Sequence, residues 1–410
     1  MKVVILAAGL AKRMRAKKPK PLINLFGMPI IEHSIRKLKG HDIVIVYHNK
    51  EIKKFIKKRF PEIKLIYNDK PEKENGWSLY LAKNYIDDDF LLLMADHYYE
   101  EDFFKCDGEF DKTTILVSKH CEDADEATKV KVNGKKVIDI GKNLSSYDYF
   151  DTGFFYCKRE IFDYIERMKE RKKISLSDVI SLLAKDGKVG YKLISGKWID
   201  IDTKKDLKKA EKIVADSILK SEDGIIARSI NRKISIQITK AIVKYDFFTP
   251  NIMTVVSFFL GILSAIFFFM NLVVPAGIMS QICSIVDGCD GEIARIKNMK
   301  TKFGSVFDAL TDRIADFLIV LGILFAYGFT KLSIISFFLA ISASIFPSYV
   351  YHLTGIRTSF SGRDVRLFSI MVGGILAYFS KEFLIYTMIF IGLLAYIGTA
   401  FIVYKFWKAE

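Results

Sequence analysis

The second half of this chain carries six long apolar segments, and these constrain the possible fold more than any other feature. They lie near residues 252–272, 274–294, 305–327, 332–353, 365–380 and 383–405. Several of them approach the roughly 20 residues that an α-helix needs to cross a bilayer. The residues before about 251 are instead charged and mixed in character. The sequence therefore predicts a water-exposed first half fused to an all-α domain of six transmembrane helices in the cell membrane.

Basic residues flank the six segments unevenly. They lie before the first segment, between the second and third, between the fourth and fifth, and at the end: Lys240, Lys244, Arg295, Lys297, Lys300, Lys302, Arg357, Arg363, Arg366, Lys405 and Lys408. The other three loops offer only Lys331 and Lys381. Because basic loops of membrane proteins face the cytoplasm, we expect both termini, and therefore the whole first half, on the cytoplasmic side.

Four aspartates lie in the second and third apolar segments. Asp287 and Asp290 are three residues apart, and Asp308 and Asp312 are four apart, so each pair shares one face of its helix. A carboxylate at membrane depth costs at least about 2.5–3.5 kcal/mol, so it is rarely retained there without a cation or a substrate. Two such faces turned towards each other would form a site for Mg²⁺ or Mn²⁺. A structural cluster of ion pairs is the alternative, but arginines are scarcer than aspartates in this part of the sequence.

Short apolar runs alternate with amphipathic stretches in residues 1–218. The runs at 3–8, 43–47, 63–67, 90–94 and 114–117 are typical of buried strands, and the stretches at 30–38 and 78–86 are typical of helices. This alternation predicts an α/β domain with a mainly parallel sheet.

Residues 219–250 are basic and periodic. Isoleucine recurs every four residues, at Ile226, Ile230, Ile234, Ile238 and Ile242, with arginines and lysines between. We expect an amphipathic helix on the anionic cytoplasmic surface of the membrane. A linker helix packed on the first domain is the alternative. The predicted domains are therefore 1–218, 219–250 as juxtamembrane linker, and 251–410.

A glycine turn followed by basic residues lies near the amino terminus. Leu6, Ala8 and Gly9 end the first predicted strand, and Arg13 and Lys20 follow. Glycine here lets backbone N–H groups approach a triphosphate, and the two cations would stabilise pyrophosphate as it leaves. Taken alone, a glycine turn with basic neighbours also occurs without a nucleotide role.

The run Leu-Ala-Ala-Gly-Leu-Ala-Lys-Arg-Met at 6–14, with Pro-Lys-Pro-Leu at 19–22, resembles the sugar-phosphate nucleotidyltransferase family over about the first 215 residues. Ala11 departs from the glycine usual in that family. The resemblance implies a Rossmann-like fold, with Arg13 and Lys20 in catalysis. It implies a nucleotide site that includes Leu6, Ala8, Gly9, Asn75, Gly76 and Ser78. It further implies Mg²⁺ or Mn²⁺ held by Asp96, Asp200 and Asp202, and an acceptor phosphate bound by Lys142 and Asp151. A loop cap at Asp96 and a solvated surface lysine at Lys142 are the structural alternatives.

The frame D-x-x-D-G-x-x-A-R, followed by G-x-x-x-D-x-x-x-D, is matched at every position across the second and third apolar segments and resembles the CDP-alcohol phosphotransferase family. The resemblance implies a nucleotide site formed by Asn251, Gly291, Ala294, Arg295 and Gly304. It implies metal ligation by Asp287, Asp290, Asp308 and Asp312, with Asp312 also accepting the proton of an acceptor hydroxyl. It also implies a homodimer through the membrane helices. Arg357, Arg363 and Arg366 would bind an acceptor phosphate, or they are ordinary basic loop residues.

One half would thus make a nucleotide-activated alcohol that the other half consumes. This pairing, with the segment 140–153 and the Gly-Arg-Asp-Val-Arg loop at 362–366, resembles the bifunctional enzymes that join CTP:inositol-1-phosphate cytidylyltransferase to di-myo-inositol-phosphate-phosphate synthase. The resemblance implies CTP, inositol 1-phosphate and CDP-inositol as substrates. Use of CDP-diacylglycerol by the membrane half, and of another alcohol phosphate by the first half, are the alternatives. The net charge of +15 suits phosphorylated substrates and anionic lipid, and without a nucleic-acid module we expect no nucleic-acid partner.

Overall fold

A computed structural model describes residues 1–9, 18–105, 110–121, 124–219 and 223–409 of the chain. Contacts within the chain divide it into two compact units, Met1–Val214 and Ala215–Glu410. Where described, the first unit combines strands and helices, and the second is helical.

The first unit has these strands in its described residues: β1 (Lys2–Ala7), β2 (Asn24–Leu25), β3 (Met28–Pro29), β4 (Asp42–Tyr47), β5 (Lys64–Tyr67), β6 (Phe90–Met94), β7 (His97–Tyr99), β8 (Thr113–Ser118), β9 (Lys129–Asn133), β10 (Lys136–Gly141), β11 (Tyr149–Cys157), β12 (Val189–Leu193) and β13 (Trp198–Asp200). Its helices are α1 (Ile30–Lys37), α2 (Lys50–Arg59), α3 (Glu74–Tyr80), α4 (Ile161–Arg167) and α5 (Leu176–Lys185). Helix α6 (Lys204–Ile218) crosses the boundary between the units.

The main sheet is mixed, with the strand order β5-β4-β1-β6-β11-β8-β12-β10-β9 among the described residues. β5, β4, β1 and β6 are parallel, as the sequence predicts, whereas β11 runs antiparallel to both β6 and β8. The prediction of a mainly parallel sheet is therefore right for one half of the sheet. Leu6 pairs with Met94, so the carboxyl ends of β1 and β6 lie side by side. In such sheets ligands bind beyond the carboxyl ends of the parallel strands.

Helices cover the sheet on both faces because alternate residues of each strand point in opposite directions. In β1, Val4 and Leu6 belong to the apolar layer that includes α4 and α5, and Val3 and Ile5 belong to the layer that includes α1 and α2. The stretch 78–86 is not one helix, because α3 ends at Tyr80 and a short 3-10 helix covers Lys83–Tyr85.

After α6, the second unit has a π-helical segment, Ala227–Asn231, that leads into α7 (Arg232–Ile242). The helices that follow correspond one to one with the six predicted apolar segments: α8 (Pro250–Phe269), α9 (Val273–Ile296), α10 (Lys302–Tyr327), α11 (Lys331–Thr354), α12 (Arg363–Leu376) and α13 (Glu382–Ala409). Among the residues described, three stretches are both long and apolar enough to cross a membrane: Pro250–Phe269, Lys331–Thr354 and Glu382–Lys408. The other helices either carry the charged residues of the candidate site or, in α12, have only 14 residues.

The most deeply buried positions of α7 are polar. Ser235 and Thr239 are completely buried, whereas Ile230 and Ile234 are 36% and 45% exposed. Both hydroxyls donate to the buried carboxylate of Glu292 on α9, each at 2.6 Å, and Arg232 Nη1 donates to the same carboxylate at 2.9 Å. Ile238 and Ile242 are partly buried against the apolar cluster of Met253, Cys289 and Ile293, so the periodic isoleucines form only part of the packing surface.

Candidate active sites

In the first unit, Lys20 lies among three aspartates that are distant from it in sequence. Its Nζ lies 3.3 Å from Asp96 Oδ2 and 3.7 Å from Asp200 Oδ1, and it donates a hydrogen bond to Asp202 Oδ1. Asp96 follows β6 and Asp200 ends β13, which pairs with β7. Burial lowers the pKa of Lys20, but the three carboxylates outweigh burial and raise this pKa above its ordinary value. Lys20 is therefore a fixed positive charge.

Three side chains beside Lys20 form a group that could hold a metal ion. Asp96, His97 and Asp200 each offer one ligand atom, and these atoms lie within 4.8 Å of one another. Carboxylate oxygens with one imidazole nitrogen suit a divalent cation. Of the predicted ligands, Asp96 and Asp200 belong to this group, whereas Asp202 contacts Lys20. Sequence reasoning missed His97, although it directly follows Asp96 at the end of a parallel strand.

His97 is held between Asp200 and a turn in β11. His97 Nε2 lies 3.4 Å from Asp200 Oδ1, and Nδ1 lies 3.2 Å from the carbonyl oxygen of Thr152. Burial lowers the pKa of His97, but Asp200 outweighs burial, and this pKa is raised to about 9. Without a metal, the contact with Asp200 therefore favours the protonated form of His97, and a bound metal ion would displace that proton, because imidazole ligates a metal in its neutral form.

The two residues predicted to bind the acceptor phosphate lie near this group. Asp151 Oδ1 accepts a hydrogen bond of 2.8 Å from the N–H of Gly153, and burial raises the pKa of Asp151 to about 6. Burial also raises the pKa of Asp200, but His97, Lys20 and Lys142 outweigh burial and hold this pKa below its ordinary value. The positive charge of Lys142 therefore acts on the cluster that contains Lys20.

Gly153 is the position of this turn that a side chain would disturb most. Its φ is +72°, and an added Cβ would lie 2.8 Å from His97 Cε1 and 2.9 Å from Met94 Cγ. We expect Gly153→Ala to destabilise the first domain by about 1–3 kcal/mol through backbone strain alone, with a further loss from the contacts. The Tm of the purified chain measures this effect. Gly134→Ala is the matched control, because Gly134 also has a positive φ, +56°, but open space around its Cβ. Equal losses of Tm in the two variants would contradict the steric part of the argument.

The remaining residues predicted to bind nucleotide in this unit fall into two groups. Leu6 and Ala8 are buried at the end of β1, and, apart from its chain neighbours, no atom of the described residues lies within 4 Å of a Cβ added at Gly9. Arg13 lies outside the described residues.

The three predicted nucleotide residues near α3 have partners within the protein. Asn75 Oδ1 accepts a hydrogen bond from the N–H of Leu176 at 2.7 Å, and Ser78 Oγ accepts one from Asn68 Nδ2 at 2.9 Å. An added Cβ on Gly76 would lie 2.7 Å from the carbonyl oxygen of Ile174. These contacts anchor α3, and a nucleotide role for the three residues stays a prediction.

In the second unit, the aspartates of α9 and α10 converge. Asp287, Asp308 and Asp312 each offer a carboxylate oxygen, and these oxygens lie within 4.8 Å of one another. Asp290 is the next acidic residue on α9, and its Oδ2 accepts a hydrogen bond of 2.8 Å from Thr254 Oγ1 on α8. A cluster of carboxylate oxygens is the donor set that Mg²⁺ and Mn²⁺ prefer.

Arg363, at the start of α12, reaches this carboxylate cluster. Arg363 Nη1 lies 2.7 Å from Asp312 Oδ1 and 3.1 Å from Asp287 Oδ1. The guanidinium carbon of Arg357 lies 3.9 Å from the centre of the Tyr351 ring. These two arginines and Arg366 line a cavity of about 490 Å³ together with the three clustered aspartates. Other polar residues of this wall were not expected from the sequence, among them Ser344, Ser348, Tyr351, His352 and Asp364.

Four of the residues predicted to bind nucleotide in this unit form two pairs of neighbours, Gly304 with Asn251 and Gly291 with Arg295. An added Cβ on Gly304 would lie 3.2 Å from Asn251 Oδ1, and one on Gly291 would lie 3.1 Å from Arg295 Nη1. Ala294 is partly buried on α9. The Nε and Nη2 atoms of Arg295 are buried and have no hydrogen-bond partner within the described part of the chain. These N–H groups are therefore available to an anionic group such as a phosphate.

Comparisons with known proteins place both units in enzyme families. Residues 247–404 match the CDP-alcohol phosphatidyltransferase family, and residues 3–105 match the MobA-like NTP transferase domain. The chain is 35% identical over 405 residues to the bifunctional IPC transferase and DIPP synthase of Archaeoglobus fulgidus, covering 94% of this chain and 80% of that protein. The protein of the same name from Aquifex aeolicus is 35% identical over 414 residues, covering 93% of this chain and 94% of that protein. The solved inositol-1-phosphate CTP transferase from T. maritima superimposes with a TM-score of 0.49 and 25% identity over 53% of this chain and 95% of that chain.

A nucleotidyltransferase domain followed by a CDP-alcohol phosphotransferase domain makes this protein a transferase with two enzymatic domains. The chain belongs to the family of bifunctional IPC transferases and DIPP synthases. Its apolar helices together with the second domain indicate association with a membrane.

Proposed function

We propose that the two domains catalyse consecutive reactions on inositol phosphates. In the first reaction, CTP and inositol 1-phosphate give CDP-inositol and pyrophosphate. In the second, CDP-inositol and another inositol 1-phosphate give a phosphorylated di-inositol phosphodiester and CMP. The observation that carries the proposal is that one chain holds both a carboxylate group beside Lys20 and a second carboxylate cluster beside Arg363. The names of the relatives support the choice of substrates.

In the first reaction, an oxygen of the phosphate monoester attacks the α-phosphorus of CTP in line with the departing pyrophosphate. No protein nucleophile is needed, because the monoester is already an anion near neutral pH. Gly9, Arg13 and Lys20 bind the triphosphate, and Lys20 stabilises the charge that develops on pyrophosphate. Lys142 binds the attacking monoester.

The metal group of the first domain fits this chemistry. Asp96, His97 and Asp200 would hold a divalent cation, which supplies positive charge that neutralises the phosphate oxygens. Asp202 holds Lys20 through their hydrogen bond.

In the second reaction, a hydroxyl of the acceptor inositol attacks the phosphorus that carries the donor inositol, and CMP leaves. Asp312 accepts the proton of that hydroxyl at a carboxylate oxygen. Asp287, Asp290, Asp308 and Asp312 would hold divalent cations, which neutralise charge on the CDP pyrophosphate. Arg363 lies 2.7 Å from Asp312, so an acceptor whose phosphate is bound by Arg363 can present its hydroxyl to Asp312.

The remaining contacts of the second reaction follow from the same cavity. Arg357 and Arg366 complete the acceptor-phosphate site. Arg295 contributes its N–H groups to the nucleotide, beside Gly291 and Ala294. Asn251 and Gly304 lie next to each other and form the remaining wall of the nucleotide site.

We place all six helices of the second domain across the membrane, with both termini and both active sites in the cytoplasm. Helix α12 has 14 residues and spans roughly 21 Å, so it needs flanking residues or local thinning of the bilayer. The exposed Ile230, just before α7, and Ile234 of α7 would lie on the anionic lipid surface. We also expect a homodimer formed through the membrane helices.

A second candidate function is transfer from CDP-diacylglycerol to an acceptor alcohol. An apolar cavity of about 280 Å³ between α10, α11 and α12 favours it, with Ile314, Phe317 and Ile345 in its wall. Arg313 and Arg366 line both this cavity and the one that contains the aspartate cluster. A lipid chain could occupy this cavity while its phosphates reach the cluster.

Phosphorus NMR of the detergent-solubilised protein with Mg²⁺, CTP and inositol 1-phosphate tests the proposal. We expect pyrophosphate, CMP and a new phosphodiester that also carries a monoester. Pyrophosphate and a CDP-alcohol without CMP would support the first reaction and contradict the second. In that case labelled CDP-diacylglycerol should be tested, and a lipid product would establish the second candidate. Absence of pyrophosphate would overturn the proposed substrates of the first domain.

A further inference from the structure

A fifth aspartate follows Asp312 by one helical turn on α10. Asp316 is only 5% exposed, and its oxygens accept hydrogen bonds from residues of two other helices. Oδ1 accepts from Arg363 Nε at 3.0 Å, and Oδ2 accepts from Arg366 Nη2 at 2.9 Å and from Ser344 Oγ at 2.8 Å. One buried carboxylate thus joins both arginines of α12 to α10 and α11.

These contacts separate Asp316 from the aspartates that could hold a metal. The cluster found among the described residues consists of Asp287, Asp308 and Asp312. The oxygens of Asp316 are instead occupied by the guanidinium groups of Arg363 and Arg366, by the Ser344 hydroxyl and, at 3.4 Å, by Nη1 of Arg313 on its own helix. Asp316 therefore binds the arginines rather than a metal ion.

The geometry of the guanidinium group explains what this contact achieves. The group is planar and rigid, so holding Nε at one acceptor sets the direction of both Nη atoms. In Arg363, Nε is held by Asp316 while Nη1 points to Asp312 and Asp287. Without the charge of Asp316, the guanidinium groups of Arg363 and Arg366 would repel each other, and because both are largely buried, water would screen this repulsion poorly.

We infer that Asp316 is a positioning residue that orients Arg363 and Arg366 to receive the phosphate of the acceptor in the second reaction. The inference rests on the proposed function, because that function assigns the acceptor phosphate to these arginines. Asp316 itself touches neither substrate nor metal.

Replacing Asp316 with asparagine tests the inference, because an amide keeps the shape but loses the charge and one acceptor atom. With CDP-inositol supplied, we expect Asp316→Asn to raise the KM for inositol 1-phosphate by about 10- to 100-fold. The KM for CDP-inositol should stay within about threefold of the unmodified protein, because only the acceptor side loses an interaction. Equal changes in both KM values, or a change in kcat alone, would overturn the inference.

Two further variants separate positioning from loss of structure. Ser336→Ala removes a buried hydroxyl of α11 that bonds its own helix at Leu332 and should leave both KM values unchanged. Ser344→Ala removes one donor to Asp316 but keeps the charge, and should raise the acceptor KM by about three- to tenfold. If Asp316→Asn does not fold, as judged by Tm and elution, an unchanged acceptor KM in Ser344→Ala would still overturn the inference.

A double-mutant cycle identifies the residue through which Asp316 acts. Because Asp316 holds Arg366 as well as Arg363, the acceptor KM of the double variant Asp316→Asn/Arg363→Lys should rise by less than the product of the two single effects, since coupled residues are not additive. If the effects of the two substitutions on the acceptor KM multiply, Asp316 does not act through Arg363.

Direct binding of inorganic phosphate keeps the inference separate from the proposed function. Calorimetry should show a Kd for inorganic phosphate that is about tenfold larger for Asp316→Asn than for the unmodified protein. The first domain is the same in both proteins, so the difference belongs to the second domain. If the unmodified protein makes no CMP from CDP-inositol, the proposed function fails. An unchanged phosphate Kd in Asp316→Asn would contradict the inference itself.

Discussion

Asp312→Asn should slow the second reaction by about 10²–10⁴-fold and leave the synthesis of CDP-inositol unchanged. Asp312 lies within the carboxylate cluster of α9 and α10, and an asparagine amide neither accepts the proton of the acceptor hydroxyl nor matches a carboxylate as a ligand for a hard cation. Release of CMP from supplied CDP-inositol measures the second reaction. Release of pyrophosphate from CTP measures the first reaction in the same preparation.

Glu382→Gln is the matched control for Asp312→Asn. Glu382 is an exposed carboxylate at the start of α13, so its loss changes the charge of the same domain by the same amount. We expect both activities of Glu382→Gln to equal those of the unmodified protein. If Asp312→Asn lost the first reaction together with the second, the assignment of one reaction to each domain would be wrong.

Lys20→Ala should lower the first reaction by about 10²–10³-fold, because the charge that stabilises departing pyrophosphate is removed. The side chain of Lys20 is 11% exposed and lies beside Asp96 and Asp200, so water cannot readily replace its ammonium group. Pyrophosphate release from CTP and inositol 1-phosphate measures the loss. Supplied CDP-inositol should restore formation of the phosphodiester, because the second domain is intact.

Lys18→Ala controls for the loss of one positive charge in the same segment. Lys18 is exposed and lies two residues before Lys20, and we expect its replacement to leave pyrophosphate release unchanged. Failure of supplied CDP-inositol to restore product in Lys20→Ala would contradict the separation of the two active sites.

The local patterns predicted the elements of the fold well, because they depend on neighbouring residues. The apolar runs became β1, β4, β5, β6 and β8, and the apolar segments became α8 to α13. The errors arose where long-range contacts decide the outcome. The sheet is mixed because β11 inserts antiparallel between β6 and β8, and the apolar pattern of a buried strand does not reveal its direction.

The isoleucines of α7 illustrate a second limit of pattern reading. Their four-residue spacing correctly indicates a helix, but the fully buried positions of α7 are Ser235 and Thr239, and Ile238 and Ile242 are only partly buried. The reason is Glu292, whose buried carboxylate needs donors and receives them from these hydroxyls. A helical period does not distinguish a face that packs on protein from a face that contacts another apolar surface.

From the sequence alone, apolar runs predicted the division of the chain, and close spacing on one helix predicted the aspartates of α9 and α10, because both are local properties. Motif resemblance indicated the family of each domain and the carboxylates of the first. Only the tertiary structure brought Lys20 to Asp200 and placed His97 beside them. Only the tertiary structure also showed that Asp316 holds Arg363 and Arg366. The physical reason is that charged groups distant in sequence are paired by the packing of the elements that carry them, and their spacing along the chain contains no trace of that pairing.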